Sequence, residues 1–184
     1  HVNSPFKTDF RQDIELQLRD SPRVTKAEVI SAADNYQHKA ENARLFRKAG
    51  EASGNRRYDQ AISLLRQIVE SDPADFPAWQ ELGTAYFIQK NFDEAEKAYV
   101  WALAGNADYA VALISLGRLR IARKNFNGAI EVLTQAVKVQ PTSPQANYFL
   151  GEAYLQNKLG SKAVNYLNEA IRLDPLGMAD AHLR

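Results

Sequence analysis

Four alanines, Ala61, Ala95, Ala129 and Ala163, stand at intervals of 34 residues, and the positions around them repeat in step. Four residues after each come Leu65, Tyr99, Leu133 and Leu167, and seven after come Ile68, Ala102, Ala136 and Ala170. Twelve before them stand Ala49, Gly83, Gly117 and Gly151, and twelve after stand Pro73, Ala107, Pro141 and Pro175. A period of this length dictates architecture: every copy forms the same supersecondary unit, and a unit too small to bury its own apolar faces stacks on the next. Four copies fit, over 42–75, 76–109, 110–143 and 144–177.

Each copy reads as two helices. In the second, Trp79, Leu82, Tyr86 and Phe87 recur at helical spacing, Lys90-Asn91 marks a turn, and Phe92, Ala95, Tyr99, Ala102 and Leu103 form a second apolar stripe. Gly or Ala at the eighth position and Ala at the twentieth leave no bulk where two antiparallel helices cross. Larger neighbours fill the sides. Pro73, Pro141 and Pro175 stop the second helix of their units.

These residues resemble the tetratricopeptide repeat family, whose 34-residue unit has Trp, Leu, Gly, Tyr, Ala, Phe, Ala and Pro at characteristic positions. The second copy matches with Trp79, Leu82, Gly83, Tyr86, Ala95, Tyr99 and Ala102, the third with Leu116, Gly117, Ala129, Ala136 and Pro141. The fourth matches with Leu150, Gly151, Tyr154, Ala163, Ala170 and Pro175, whereas the first carries Lys48 and Ala49 where Leu and Gly are usual. The resemblance implies an all-α fold, a right-handed α-solenoid of stacked helix-turn-helix units. It also implies a concave groove lined by positions 2, 5, 9 and 12 of each first helix. Here those places hold Phe46, Gly50, Pro77, Gln80, Thr84 and Phe87, then Val111, Ile114, Arg118 and Ile121, then Gln145, Tyr148, Glu152 and Leu155, with Ile88 adjacent. Such a lining is mostly apolar, with Arg118 and Glu152 as its charged features, and suits a peptide with aliphatic or aromatic anchors. A subset of the family grips chaperone tails with a clamp of Lys, Asn and Arg. The corresponding places here hold Phe46, Gly50, Glu81, Val111 and Ser115, so that clamp is absent.

The ends read differently. None of the chain's 27 alanines falls in residues 1–23, which marks a boundary near residue 24. Ser4-Pro5 resembles a helix start, with Phe6, Phe10, Ile14 and Leu18 along one side, although Ile14–Leu18 also alternates as a short strand would. Thr25 and Glu28 form a capping-box pattern, and Val29, Ala33, Tyr36 and Ala40 continue at helical spacing, predicting a second helix from about Lys26. Residues 1–41 are thus expected to be a helical extension that caps the first unit. At the other end, 178–184 looks like the start of a further helix, so the natural chain is expected either to continue or to be covered there. The first residue is His1 rather than Met, which makes a fragment the economical reading and leaves the compartment, cytoplasmic or periplasmic, open.

Composition narrows function. With 23 Lys and Arg against 22 Asp and Glu, the chain lacks the overall basic footprint of a nucleic-acid or anionic-membrane binder. Zero Cys excludes thiol chemistry and Cys-ligated metals, and no apolar run is long enough for membrane insertion. His1, His38 and His182 are scattered without metal-ligand spacing and are expected at the surface. The run Arg118, Arg120, Arg123 and Lys124 reads as a solvated, paired face, with Glu152 nearby; Arg120 replaces a usually aromatic position and either snorkels out between helices or marks a local function. No cofactor or catalytic group is expected. The reading that follows is a scaffold or adaptor that holds a peptide or partner protein in its groove. Self-association through the ends and a regulatory module of a larger enzyme are the alternatives.

Overall fold

The computed structural model describes residues 36–175. Within them lie eight helices and no strand: α1 (Ala40–Gly54), α2 (Tyr58–Ser71), α3 (Phe76–Ile88), α4 (Phe92–Gly105), α5 (Ala110–Ala122), α6 (Phe126–Val139), α7 (Pro144–Gln156) and α8 (Gly160–Leu173). The helices pair as consecutive hairpins, and each second helix packs on the first helix of the next pair. This is an all-α solenoid. Expectations that fall on 1–35 and 176–184, including the terminal helices and the placement of His1 and His182, lie outside the described residues.

The period is visible in the helix boundaries. α3, α5 and α7 open at Phe76, Ala110 and Pro144, and α4, α6 and α8 at Phe92, Phe126 and Gly160, in steps of 34. α2, α6 and α8 stop two residues before Pro73, Pro141 and Pro175. α4 stops at the equivalent Gly105 although Ala107 replaces the proline, so the proline reinforces an end that other contacts also set. Side chains cap three starts: Asp75 accepts from the Ala78 N–H at 3.0 Å, Asn125 from the Gly128 N–H at 3.1 Å and Ser143 from the Ala146 N–H at 3.2 Å, whereas Asn91 at the start of α4 makes no such bond.

Inside each hairpin the eighth position lies against the twenty-fourth. A Cβ on Gly117 would collide with Leu133, and one on Gly151 would lie 2.7 Å from Leu167. In the first unit Ala49 takes this place and is buried in the same cluster as Leu65, while Lys48 points to solvent. Three core clusters follow one another along the array. Trp79 and Tyr86 join the first to the second, and Val132 and Val137 join the second to the third, so burial is continuous although each unit touches only its neighbours.

The turn within every hairpin has one unusual feature. Arg56, Lys90, Lys124 and Lys158, again 34 apart, adopt φ values of 59°, 61°, 60° and 61°. The N–H of Lys90 donates to the Phe87 carbonyl and that of Asn91 to the Tyr86 carbonyl, a Schellman end in which a basic residue occupies the left-handed position usually given to glycine. The same two bonds recur at the other three turns.

Two expectations near the start of the array are corrected. Residues 36–39 are not helical, so the predicted second helix does not run through Tyr36, and Ala40 opens α1 instead. This short strap is pinned across the first hairpin: the Tyr36 hydroxyl donates to Asp72 at 3.1 Å, and the Tyr36 ring meets Phe76 edge-on. Lys39 pairs with Asp72 at 3.3 Å. His38 is not a surface residue. Its Nδ1 lies 2.6 Å from Asp75, and its ring packs 4.3 Å from that of Phe46. The acidic ends of α2 and of the α2–α3 loop supply acceptors that the sequence pattern alone does not connect to residue 38.

Candidate protein-binding groove

Neighbouring first helices touch, α3 with α5 and α5 with α7, whereas the corresponding second helices do not pack on each other to that extent. An array whose first helices are closer than its second helices curves toward the first helices, which therefore line its inner side. The face they present can be built residue by residue.

Its floor is polar and internally bonded. The Gln80 amide donates to Thr84 at 3.0 Å and reaches Ser115 on α5 at 3.5 Å, and Thr84 lies 3.4 Å from the Tyr99 hydroxyl. Gln80 is only 5% exposed and Tyr99 2%, so these groups join α3, α4 and α5 rather than reach outward. Burial pushes the Tyr99 phenol above its ordinary range, against the smaller opposing effects of its hydroxyl neighbours and Arg118.

Above that floor, Arg118 is central. Its guanidinium lies 5.6 Å from the centre of the Phe87 ring on α3 and 5.0 Å from that of Phe149 on α7, a cation held between the faces of two aromatic rings. One side chain of α5 thereby touches both neighbouring first helices. Tyr148 meets Phe149 edge-on at 5.2 Å. Desolvation raises the Glu152 carboxyl above the usual carboxylate range while the charge of Arg118 pulls it back, and the Tyr148 phenol is raised by desolvation and then by Glu152.

The apolar members divide. Ile88, Val111 and Leu155 are 47%, 48% and 54% exposed, as much as Val164 and Ile171 on α8, so it is their place on the first helices rather than their exposure that assigns them to this face. Phe46, Phe87, Ile114 and Ile121 are half-buried and pack against the core clusters, with Phe46 further covered by His38. Phe149 and the Tyr99 hydroxyl are additions that sequence reasoning did not place in the groove, and Ser115, which it met only as the counterpart of a clamp position, bonds to the floor. Phe149 follows Tyr148 directly, and a helical face wide enough for positions 2, 5 and 9 also takes in position 6, which is the signal that identifies it.

Arg120 and Arg123 of the same basic run are paired away from this face. Arg120 is mostly buried, bonding the Gly128 carbonyl at 3.0 Å and Glu96 of the preceding unit at 3.4 Å. Arg123 pairs with Asp93 at 2.8 Å and Glu96 at 3.1 Å. Their partners lie one unit back rather than at Glu152. Among the described residues no cluster of three His, Asp or Glu side chains could hold a metal, and no helix is long and apolar enough to cross a membrane.

Comparison with known proteins agrees with this geometry. Models of the tetratricopeptide repeat family match residues 52–100 and 114–177. The BBSome complex member BBS4 of Bos taurus is 27% identical over 119 residues, covering 65% of this chain and 23% of that protein. Superkiller complex protein 3 of Mus musculus is 28% identical over 121 residues, 62% of this chain and 8% of its own length. The chain therefore spans less than a quarter of either relative. Among solved structures, a crystal structure of MamA superposes with a TM-score of 0.68 at 22% identity, covering 97% of this chain and 99% of that one. The first such domain of Spaghetti (RPAP3), bound to the HSP90 peptide SRMEEVD, superposes with a TM-score of 0.62 at 23% identity over 64% of this chain and 93% of that one.

Proposed function

The chain belongs to the tetratricopeptide repeat family, and from that premise we propose that it is a non-catalytic scaffold whose inner face holds a peptide or partner protein. The observation that carries this reading is the position of Arg118, which spans from Phe87 to Phe149 and makes the inner sides of three units one continuous surface. On the same three helices Ile88, Val111 and Leu155 keep about half their surface in water, apolar area that folding has not used and that a partner would cover. The lower floor is already satisfied by its own hydrogen bonds, so binding there requires no rearrangement of Gln80 or Thr84.

The complex of the RPAP3 domain with a peptide supports a peptide as occupant, although the clamp residues differ here. The test is capture of partners from a peptide array by the whole chain and by its Phe87→Ala and Tyr148→Ala variants. Loss of capture in both, with the helical signal intact, is the expected result. Unchanged capture in both removes the inner face as the binding site.

A further inference from the structure

Three arginines lie within six positions, and they are not equivalent. Arg120 and Arg123 have carboxylate partners across the unit boundary. Arg118 has no carboxylate within 4.0 Å and no hydrogen-bond acceptor among the described residues; its contacts are the two rings. Glu152 is near enough for its carboxyl to feel the guanidinium charge, but it is not an ion-pair partner. A guanidinium over two ring faces is held by cation–π attraction and still has its N–H donors to offer. The ring contacts also restrict a side chain that would otherwise lose rotamer freedom on forming a bond, so the next hydrogen bond is made at lower entropic cost.

We propose that Arg118 is the anchor for a carboxylate side chain of the partner. On this view the occupant of the groove is a segment with an Asp or Glu flanked by aliphatic or aromatic residues, which cover Ile88 and Leu155. The inference rests on the reading of the inner face as the partner site. Charge selects the ligand. A basic side chain would be placed against Arg118, whereas a carboxylate meets the guanidinium in bidentate geometry and brings one negative charge near Glu152 where a phosphate brings about two.

The experiment selects peptides from a displayed random library on the whole chain and on Arg118→Gln, Phe87→Ala and Leu155→Asp variants, each first checked for its helical signal and melting temperature. The wild type is expected to enrich peptides with an acidic residue between apolar ones. Changing that residue from Glu to Gln in a synthetic enriched peptide should weaken binding to the wild type about tenfold or more, and should make little difference to Arg118→Gln. Equal sensitivity to the Glu to Gln change in both proteins overturns the carboxylate anchor, as does tighter binding of a phosphoserine peptide than of its glutamate counterpart. Enrichment of purely apolar peptides that Phe87→Ala and Leu155→Asp abolish keeps the groove and removes the anchor. Binding that neither variant disturbs, or a library without binders, removes the groove itself.

Discussion

Gly83 faces Tyr99 so closely that a Cβ on Gly83 would lie 2.6 Å from two carbons of the ring. The ring has no room to retreat, because Tyr99 is buried and its hydroxyl lies at Thr84. Gly83→Ala therefore sets a gain of about 1 kcal/mol in helix propensity against an overpacking cost of about 1–3 kcal/mol. A net loss of about 1 kcal/mol in urea denaturation is expected. Gly50, in the interior of α1, has nothing within 4 Å of its absent Cβ, so Gly50→Ala should stabilise by about 0.5–1 kcal/mol. Opposite signs for one chemical change are the check; a stabilising Gly83→Ala would mean that the two helices are not in contact there.

The strap at 36–39 gives a stability term with a defined pH window. Desolvation, the hydrogen bond to Asp72 and the charges of Asp75 and Asp72 push the Tyr36 phenol from 10.0 up to about 12. The folded state thus favours the protonated phenol. Its contribution is fully present below pH 10 and is lost as the pH rises toward about 12. Tyr36→Phe should cost about 1 kcal/mol near neutrality, and the gap between the melting temperatures of the two proteins should close at the alkaline end. A gap that stays constant to that pH would place the titrating group elsewhere.

Arg118 and Glu152 should report on each other in the free protein. Burial raises the Glu152 carboxyl and the Arg118 charge lowers it, so Arg118→Gln is expected to move the Glu152 titration further upward. A carboxyl-carbon NMR titration of both proteins measures this directly. No change would place the guanidinium beyond electrostatic reach of Glu152 in solution.

The helix boundaries were legible because they follow from small residues at fixed places: Gly117 and Gly151 admit Leu133 and Leu167, and that fit recurs with the period. Side-chain direction was less legible. Gln80 occupies a groove position by register, yet it is buried because Thr84 and Ser115 offer its amide partners. Arg118 was recognisable as the charged feature of the face, but its seat between rings depends on Phe149, one residue from the aromatic expected there. Arg120 and Arg123 find Asp93 and Glu96 on the second helix of the preceding unit, 24 to 30 residues earlier, a separation that residue order without stacking does not bring together. His38 was misplaced for the same reason, since its partner Asp75 is 37 residues away.

The four left-handed basic residues, Arg56, Lys90, Lys124 and Lys158, carry a consequence for how such an array grows. At each of these turns the negative end of the first helix meets the positive end of the second, so the two helix dipoles oppose each other inside the hairpin and every added pair brings its own compensation. The cation at the left-handed position adds to that local balance, and no field mounts along the edge as pairs are added. Length becomes electrostatically neutral, and a repeat can be gained or lost without retuning the others.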